Sequence, residues 1–78
     1  MTNLEKYNKI FCETLNVTED KLPTLKYQDV ELWDSVGHMT LVAAIEDNFD
    51  IQLDTDDIID MSSFEKAQEI LAKYDIQF

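Results

Sequence analysis

The stretch LWDSVGHM, Leu32 to Met39, holds a carboxylate, a hydroxyl and an imidazole within about one helical turn of one another. Asp34 stands beside Ser35, and His38, the single histidine of the chain, follows three residues later. Three kinds of chemistry suit a serine so placed. As a helix cap, its hydroxyl accepts a backbone N–H and needs no other molecule. As a hydrolase nucleophile, it needs a base, a group that orients the base, and an oxyanion hole. His38 is close enough in sequence to be the base, but no glycine-rich turn surrounds the serine and no second base is present. A domain this small also lacks the depth for an enclosed substrate pocket. As an attachment point, the serine needs only exposure and a surface that another enzyme can grip. A phosphate ester at a helix N-terminus meets free N–H groups and the positive end of the dipole. Asp34 opposes such an ester by charge, yet could help a modifying enzyme hold a metal ion or a basic group. The residues alone leave these readings open, and the cap is the simplest.

Several elements have to position this stretch. Leu4, Tyr7, Phe11 and Leu15 recur at helical spacing, with Ile10 beside them, and predict a first helix over residues 3–15. A long connection, about 16–33, follows. Thr18 can cap a brief turn within it, and Pro23 bars a continuous helix. Such a length in a small domain means either function or packing on the core, and Leu22, Leu25, Val30, Leu32 and Trp33 supply anchors for packing. Trp33 is the residue expected to pin this loop to the bundle. The second helix should run from about Ser35 to Asn48, capped by Asp34 or Ser35. FDIQL alternates like a strand but has no partner, so it reads as an extended connection. DTDDIIDM predicts a short helix capped by Asp54, with acids in its first turn where the dipole favours them. SSFE, Ser62 with Glu65, reads as a capping box that opens a last helix to about Lys73. The core face of that helix is expected to be Phe64, Ala67, Leu71 and Tyr74. The predicted fold is all-α: one domain, 1–78, forming a small four-helix bundle of three main helices and one short one, with a long loop between helices one and two.

The second helix carries two apolar stripes. At about 100° per residue, His38, Leu41, Val42, Ile45 and Phe49 share one sector, the expected core face. Val36, Met39 and Ala43 share another, continued by Glu46, Asp47 and Asp50. A helix packed on one side needs one stripe. The second is either covered by the long loop or left as a docking surface rimmed by acids. Gly37, in the first turn, should weaken the helix by up to about 1 kcal/mol relative to alanine.

Charge narrows the partners. The chain has 17 acids against 6 basic residues, a formal charge of −11, and no lysine lies between Tyr27 and Glu65. Such a surface repels nucleic acid and anionic lipid, and steers basic protein surfaces toward it. Lone Cys12 cannot close an intrachain disulfide and reads as a small hydrophobe in the first helix, which fits a reducing cytoplasm. MTNLEKYNKIF has no continuous apolar run, so neither a signal peptide nor a membrane span is expected there. DNFDIQLDTDD has acids at alternate places but lacks the central glycine of a calcium loop, and Phe49, Ile51 and Leu53 intrude. No metal site is expected.

WDSVGHMTLVAAIEDNFDIQL, Trp33 to Leu53, resembles the core of acyl and peptidyl carrier proteins. The family shows an Asp-Ser-aliphatic triplet opening a helix, then apolar residues, Glu, Phe and an acidic-aliphatic alternation. Asp34-Ser35-Val36 match the triplet, and Leu41, Val42, Ile45, Glu46, Phe49 and Ile51 fall in the matching places downstream. DTDDIIDMSSFEKAQEIL is similar to the family's third and fourth helices, so the likeness covers nearly the whole chain. The resemblance implies a monomeric carrier that catalyses nothing itself. Ser35, beside Asp34, would be esterified with 4'-phosphopantetheine, taken from coenzyme A by a phosphopantetheinyl transferase, and the cargo would ride as a thioester. A ligase or acyltransferase would load it. It also implies partner docking on Val36, Met39 and Ala43, with Glu46, Asp47, Asp56 and Asp57 facing basic surfaces. Gly37 and Thr40 stand where carriers of fatty-acid synthesis commonly have acids. The tryptophan before Asp-Ser and the His-Met after it look more like discrete carriers of specialised pathways, such as nonribosomal peptide, polyketide or aminoacyl transfer. The alternative is a helical interaction module with no prosthetic arm.

Overall fold

Thr2 starts α1 (Asn3–Leu15): its hydroxyl accepts the Glu5 N–H at 3.1 Å, and the Glu5 carboxylate accepts the Thr2 N–H at 3.0 Å. This reciprocal box satisfies two otherwise orphaned donors and holds the Glu5 carboxyl below its ordinary range. Asn16 ends the helix in the left-handed region, φ 56°. Tyr7, Ile10, Phe11 and Leu15 form the buried face. The computed structural model describes residues 1–78. It contains α1, a 3-10 helix (Glu19–Thr24), α2 (Ser35–Phe49), α3 (Thr55–Asp60) and α4 (Phe64–Ala72), and no β-sheet. The fold is therefore all-α, as the periodicities predict. FDIQL is no strand. No helix is long and apolar enough to cross a membrane.

The long connection is packed rather than free. Leu22, on the 3-10 helix, and Leu25 and Trp33 beyond it are buried in the core. An isolated antiparallel bridge then joins Lys26 to Ser63. The Tyr27 N–H donates to the Ser62 carbonyl at 2.8 Å, and the Phe64 N–H donates to the Leu25 carbonyl at 2.9 Å. Past the bridge the chain folds back on itself, with the Gln28 N–H on the Trp33 carbonyl at 3.0 Å. Val30 is half-buried, but Leu32 is 50% exposed and lies outside the core that Trp33 enters.

The core is aromatic at its centre. Tyr7, Phe11 and Phe64 meet with ring centroids 4.8–5.0 Å apart, and Trp33 packs edge-on to Phe11 at 5.6 Å. The Tyr7 hydroxyl donates to the Phe64 carbonyl, and burial pushes its pKa up. On α2, Leu41, Val42 and Ile45 are buried, while His38 and Phe49 are half-buried. Two details of α4 differ from expectation. Its cap is Ser63, whose hydroxyl accepts the Lys66 N–H at 2.9 Å, and not Ser62. The Ser62 carbonyl accepts the Tyr27 N–H beside the bridge instead of a helix N–H, which leaves that residue outside the helix. Tyr74 lies past the end of α4 rather than on its core face, and Ile70 fills the core instead.

Gly37 lies where α2 passes the returning loop. A Cβ there would stand 1.7 Å from the Leu32 carbonyl oxygen, which is backbone and cannot swing aside. Helix propensity alone favours alanine at this position, but the contact reverses the sign. Gly37→Ala is expected to lower the thermal and urea midpoints, with a loss of about 1–3 kcal/mol from overpacking. A midpoint unchanged or raised would refute the close approach.

Candidate functional site

Ser35 is the first residue of α2 and it is exposed. It does not cap the helix. Asp34 does: its Oδ1 accepts the Gly37 N–H at 2.8 Å, and its carbonyl receives the His38 N–H at 2.8 Å. With the cap supplied by the neighbour, the Ser35 hydroxyl has no hydrogen-bond partner in the chain. It stands at the end of a helix whose first N–H groups lack intrahelical acceptors and whose dipole is positive.

His38 is not available to activate that hydroxyl. The Trp33 indole N–H donates to its Nδ1 at 3.0 Å, and its Nε2 lies 2.8 Å from the Ile58 carbonyl. An indole can only donate and a carbonyl can only accept, so these partners fit the tautomer with its proton on Nε2. The ring lies nearly parallel to Trp33, centroids 6.3 Å apart at 14°, and Tyr27 meets it edge-on at 5.6 Å. Both nitrogens have structural partners, and a serine–histidine nucleophile pair is not formed.

Beside Ser35, a cleft of about 350 Å³ opens between the start of α2 and α3. Met39, Tyr27, Ile58, Ile59 and Met61 make its walls largely apolar, with Ser35 at the rim. Around the cleft lies exposed apolar surface. Val36 is 74% exposed, Met39 54% and Ile59 72%. Ala43 is exposed as well, so the long loop leaves the second stripe of α2 uncovered. Ile59 escaped the sequence reading. Its signal was the doublet Ile58-Ile59 in a six-residue helix, which has room to pack only one face.

The acids divide into two groups. Asp47 and Asp56 are exposed. Glu46 is half-buried, and its Oε2 accepts the Leu53 N–H at 2.8 Å, so only part of its carboxylate faces outward. Asp57, expected at the docking surface beside Asp56, is instead buried, with both carboxylate oxygens bonded inside the fold. Lys73 Nζ reaches its Oδ1 at 2.6 Å, and the Tyr74 hydroxyl donates to its Oδ2 at 2.5 Å. Tyr74 in turn accepts the Asp54 N–H at 3.0 Å. The cluster ties α3 to the end of α4. No three His, Cys, Asp or Glu side chains converge closely enough to hold a metal ion. Cys12 is a half-buried free thiol, pushed up by burial and by the carboxylates of Glu19, Asp20 and Glu13. A thiol so placed is less readily ionised than a free one, and so a weaker nucleophile.

Set against protein-family models, curated proteins and solved structures, the chain matches none of them.

The hydrogen bond from Lys73, and then that from Tyr74, hold the Asp57 carboxyl below its ordinary range, and the same bond raises Lys73. Folding therefore favours ionised Asp57. That contribution is complete above the unfolded carboxyl value of about 3.9 and drains away as pH falls through the lower folded value. The Lys73 part is present below about 10.4 and is lost as pH rises through the raised folded value. Asp57→Asn is expected to lower the melting midpoint at neutral pH and to flatten its fall below about pH 4. Parallel melting curves for both proteins across that acid range would contradict this role.

Proposed function

We propose that the protein is a discrete acyl or aminoacyl carrier, with Ser35 as the attachment point for 4'-phosphopantetheine from coenzyme A. The observation that carries this reading is the division of labour at the start of α2. Asp34 caps the helix, and the neighbouring serine hydroxyl is exposed and unbonded. A serine needed only as a cap would bond a backbone N–H itself. The residues present fit the group. Ser35 Oγ is open to an approaching transferase, the helix N-terminus favours a phosphate ester, and an apolar cleft lies alongside. When bound, the group would supply a thiol that holds the cargo as a thioester. The chain's own residues orient and present. Asp34 fixes the first turn, Val36, Met39 and Ile59 offer apolar contact, and Asp47 and Asp56 steer a basic partner.

The occupied nitrogens of His38 support a carrier that leaves catalysis to other enzymes. Its partners are then a phosphopantetheinyl transferase, a cargo-loading ligase or acyltransferase, and downstream enzymes in the cytoplasm. It works as a monomer in a specialised rather than housekeeping pathway, since Gly37 and Thr40 leave the upper docking surface less acidic. The exposed stripe of Val36, Met39 and Ala43 also suits an armless module that binds a partner helix.

One experiment separates the two. Incubated with coenzyme A and a transferase of broad specificity, the wild type should gain the mass of one phosphopantetheine. Ser35→Ala should gain none. A wild type that stays unmodified while other carriers are loaded would favour the armless module.

A further inference from the structure

One imidazole joins three parts of the fold. His38 belongs to α2, Trp33 and Tyr27 to the returning loop, and the Ile58 carbonyl to α3. The bond from His38 Nε2 is the sole hydrogen bond between α2 and α3. Ile58 lies in the last turn of a six-residue helix, where carbonyls lack intrahelical donors. The bond at Nδ1 has no substitute either. Trp33 is fully buried, and its indole N–H has no other acceptor. His38, Tyr27 and Ile58 also line the cleft beside Ser35, so whatever loosens this junction loosens the cleft wall.

We propose that His38 is a proton-sensitive clasp: protonation at Nδ1 removes the acceptor for the Trp33 indole, frees the returning loop from α2 and relaxes the cleft beside Ser35. The balance is simple. Neutral His38 accepts at Nδ1 and donates at Nε2, whereas the imidazolium donates at both. One added proton sets N–H against N–H at the indole and leaves the bond to Ile58 intact. Turning the ring over gives no relief, because both nitrogens then carry hydrogen.

No carboxylate holds the ring in its charged form. On the loop, Tyr27 meets it edge-on, and the Asp29 carboxylate is folded back on the Lys26 N–H at 2.9 Å. On α2 itself, the Asp34 carboxylate is taken by Gly37. On α3, Asp57 is held by Lys73 and Tyr74, and Asp56 and Asp60 are exposed with no bond to the ring. The chain's one ion pair is Lys73–Asp57. The clasp is a property of the fold and stands whether or not Ser35 bears a prosthetic group.

The test follows the His38 ring-carbon resonances and the Trp33 indole N–H resonance together, from about pH 8 to about pH 5, the range of imidazole chemistry. In the wild type the two are expected to change with one midpoint, and Trp33 fluorescence with them. His38→Asn keeps an acceptor near Nδ1 that does not titrate, and the indole change should vanish in it. Trp33→Phe removes the donor and keeps an aromatic ring, and in it the backbone resonances of the returning loop should no longer change with His38 protonation. An imidazole that protonates while the indole resonance stays still would overturn the proposal. So would an imidazole that remains neutral until the whole chain unfolds, or an indole change that persists in His38→Asn.

Discussion

A buried indole N–H must find an acceptor, and in this fold the Trp33 indole finds it on His38. Left unbonded, such a group costs about 1–3 kcal/mol, a large share of the few that a domain of this size has. The rest of the site depends on that contact. It brings the returning loop down on the first turn of α2. The loop's Leu32 carbonyl then crowds position 37, which only glycine can occupy without displacement. With the chain entering the helix this way, the Asp34 carboxylate meets the Gly37 N–H and becomes the cap. Ser35 is consequently turned outward, with its hydroxyl free.

The acids matter as much by where they point as by their number. Asp34, Glu46 and Asp57 face backbone or side-chain donors and hold the fold in place. Asp47 and Asp56 face solvent. A net charge of −11 with one internal ion pair leaves most of the negative field unneutralised. A field of that sign would favour basic partners and speed their encounter with the carrier we propose, and the exposed Val36, Met39 and Ile59 would supply contact once they arrive. The carrier function we propose needs both, since a carrier must bind several enzymes and release each.

The helices were legible because burial demands a 3.6-residue period, and Tyr7, Phe11 and Leu15, or Leu41, Val42 and Ile45, keep it. The exposed stripe of α2 was legible for the same reason. What escaped depends on partners far away in the chain. Ser62 and Ser63 are equally good caps in isolation, and the Tyr27 N–H on the Ser62 carbonyl separates them. Asp57 and Asp56 are adjacent acids in one short helix, yet Lys73 and Tyr74 sixteen and seventeen residues on select Asp57 for the interior. Gly37 looked like a weak helix residue because its clash is with loop backbone that no local pattern reports. Leu32 and Trp33 both read as anchors, and of the two only Trp33 is buried.

We propose that the free hydroxyl of Ser35 carries a prosthetic arm. Intact-mass analysis of the protein purified from the cells that make it, followed by peptide mapping, tests this most directly. A fraction heavier by one phosphopantetheine is expected, with or without cargo, and the added mass confined to the peptide that contains Ser35. A chain found at its plain sequence mass throughout, or modified only elsewhere, would contradict it.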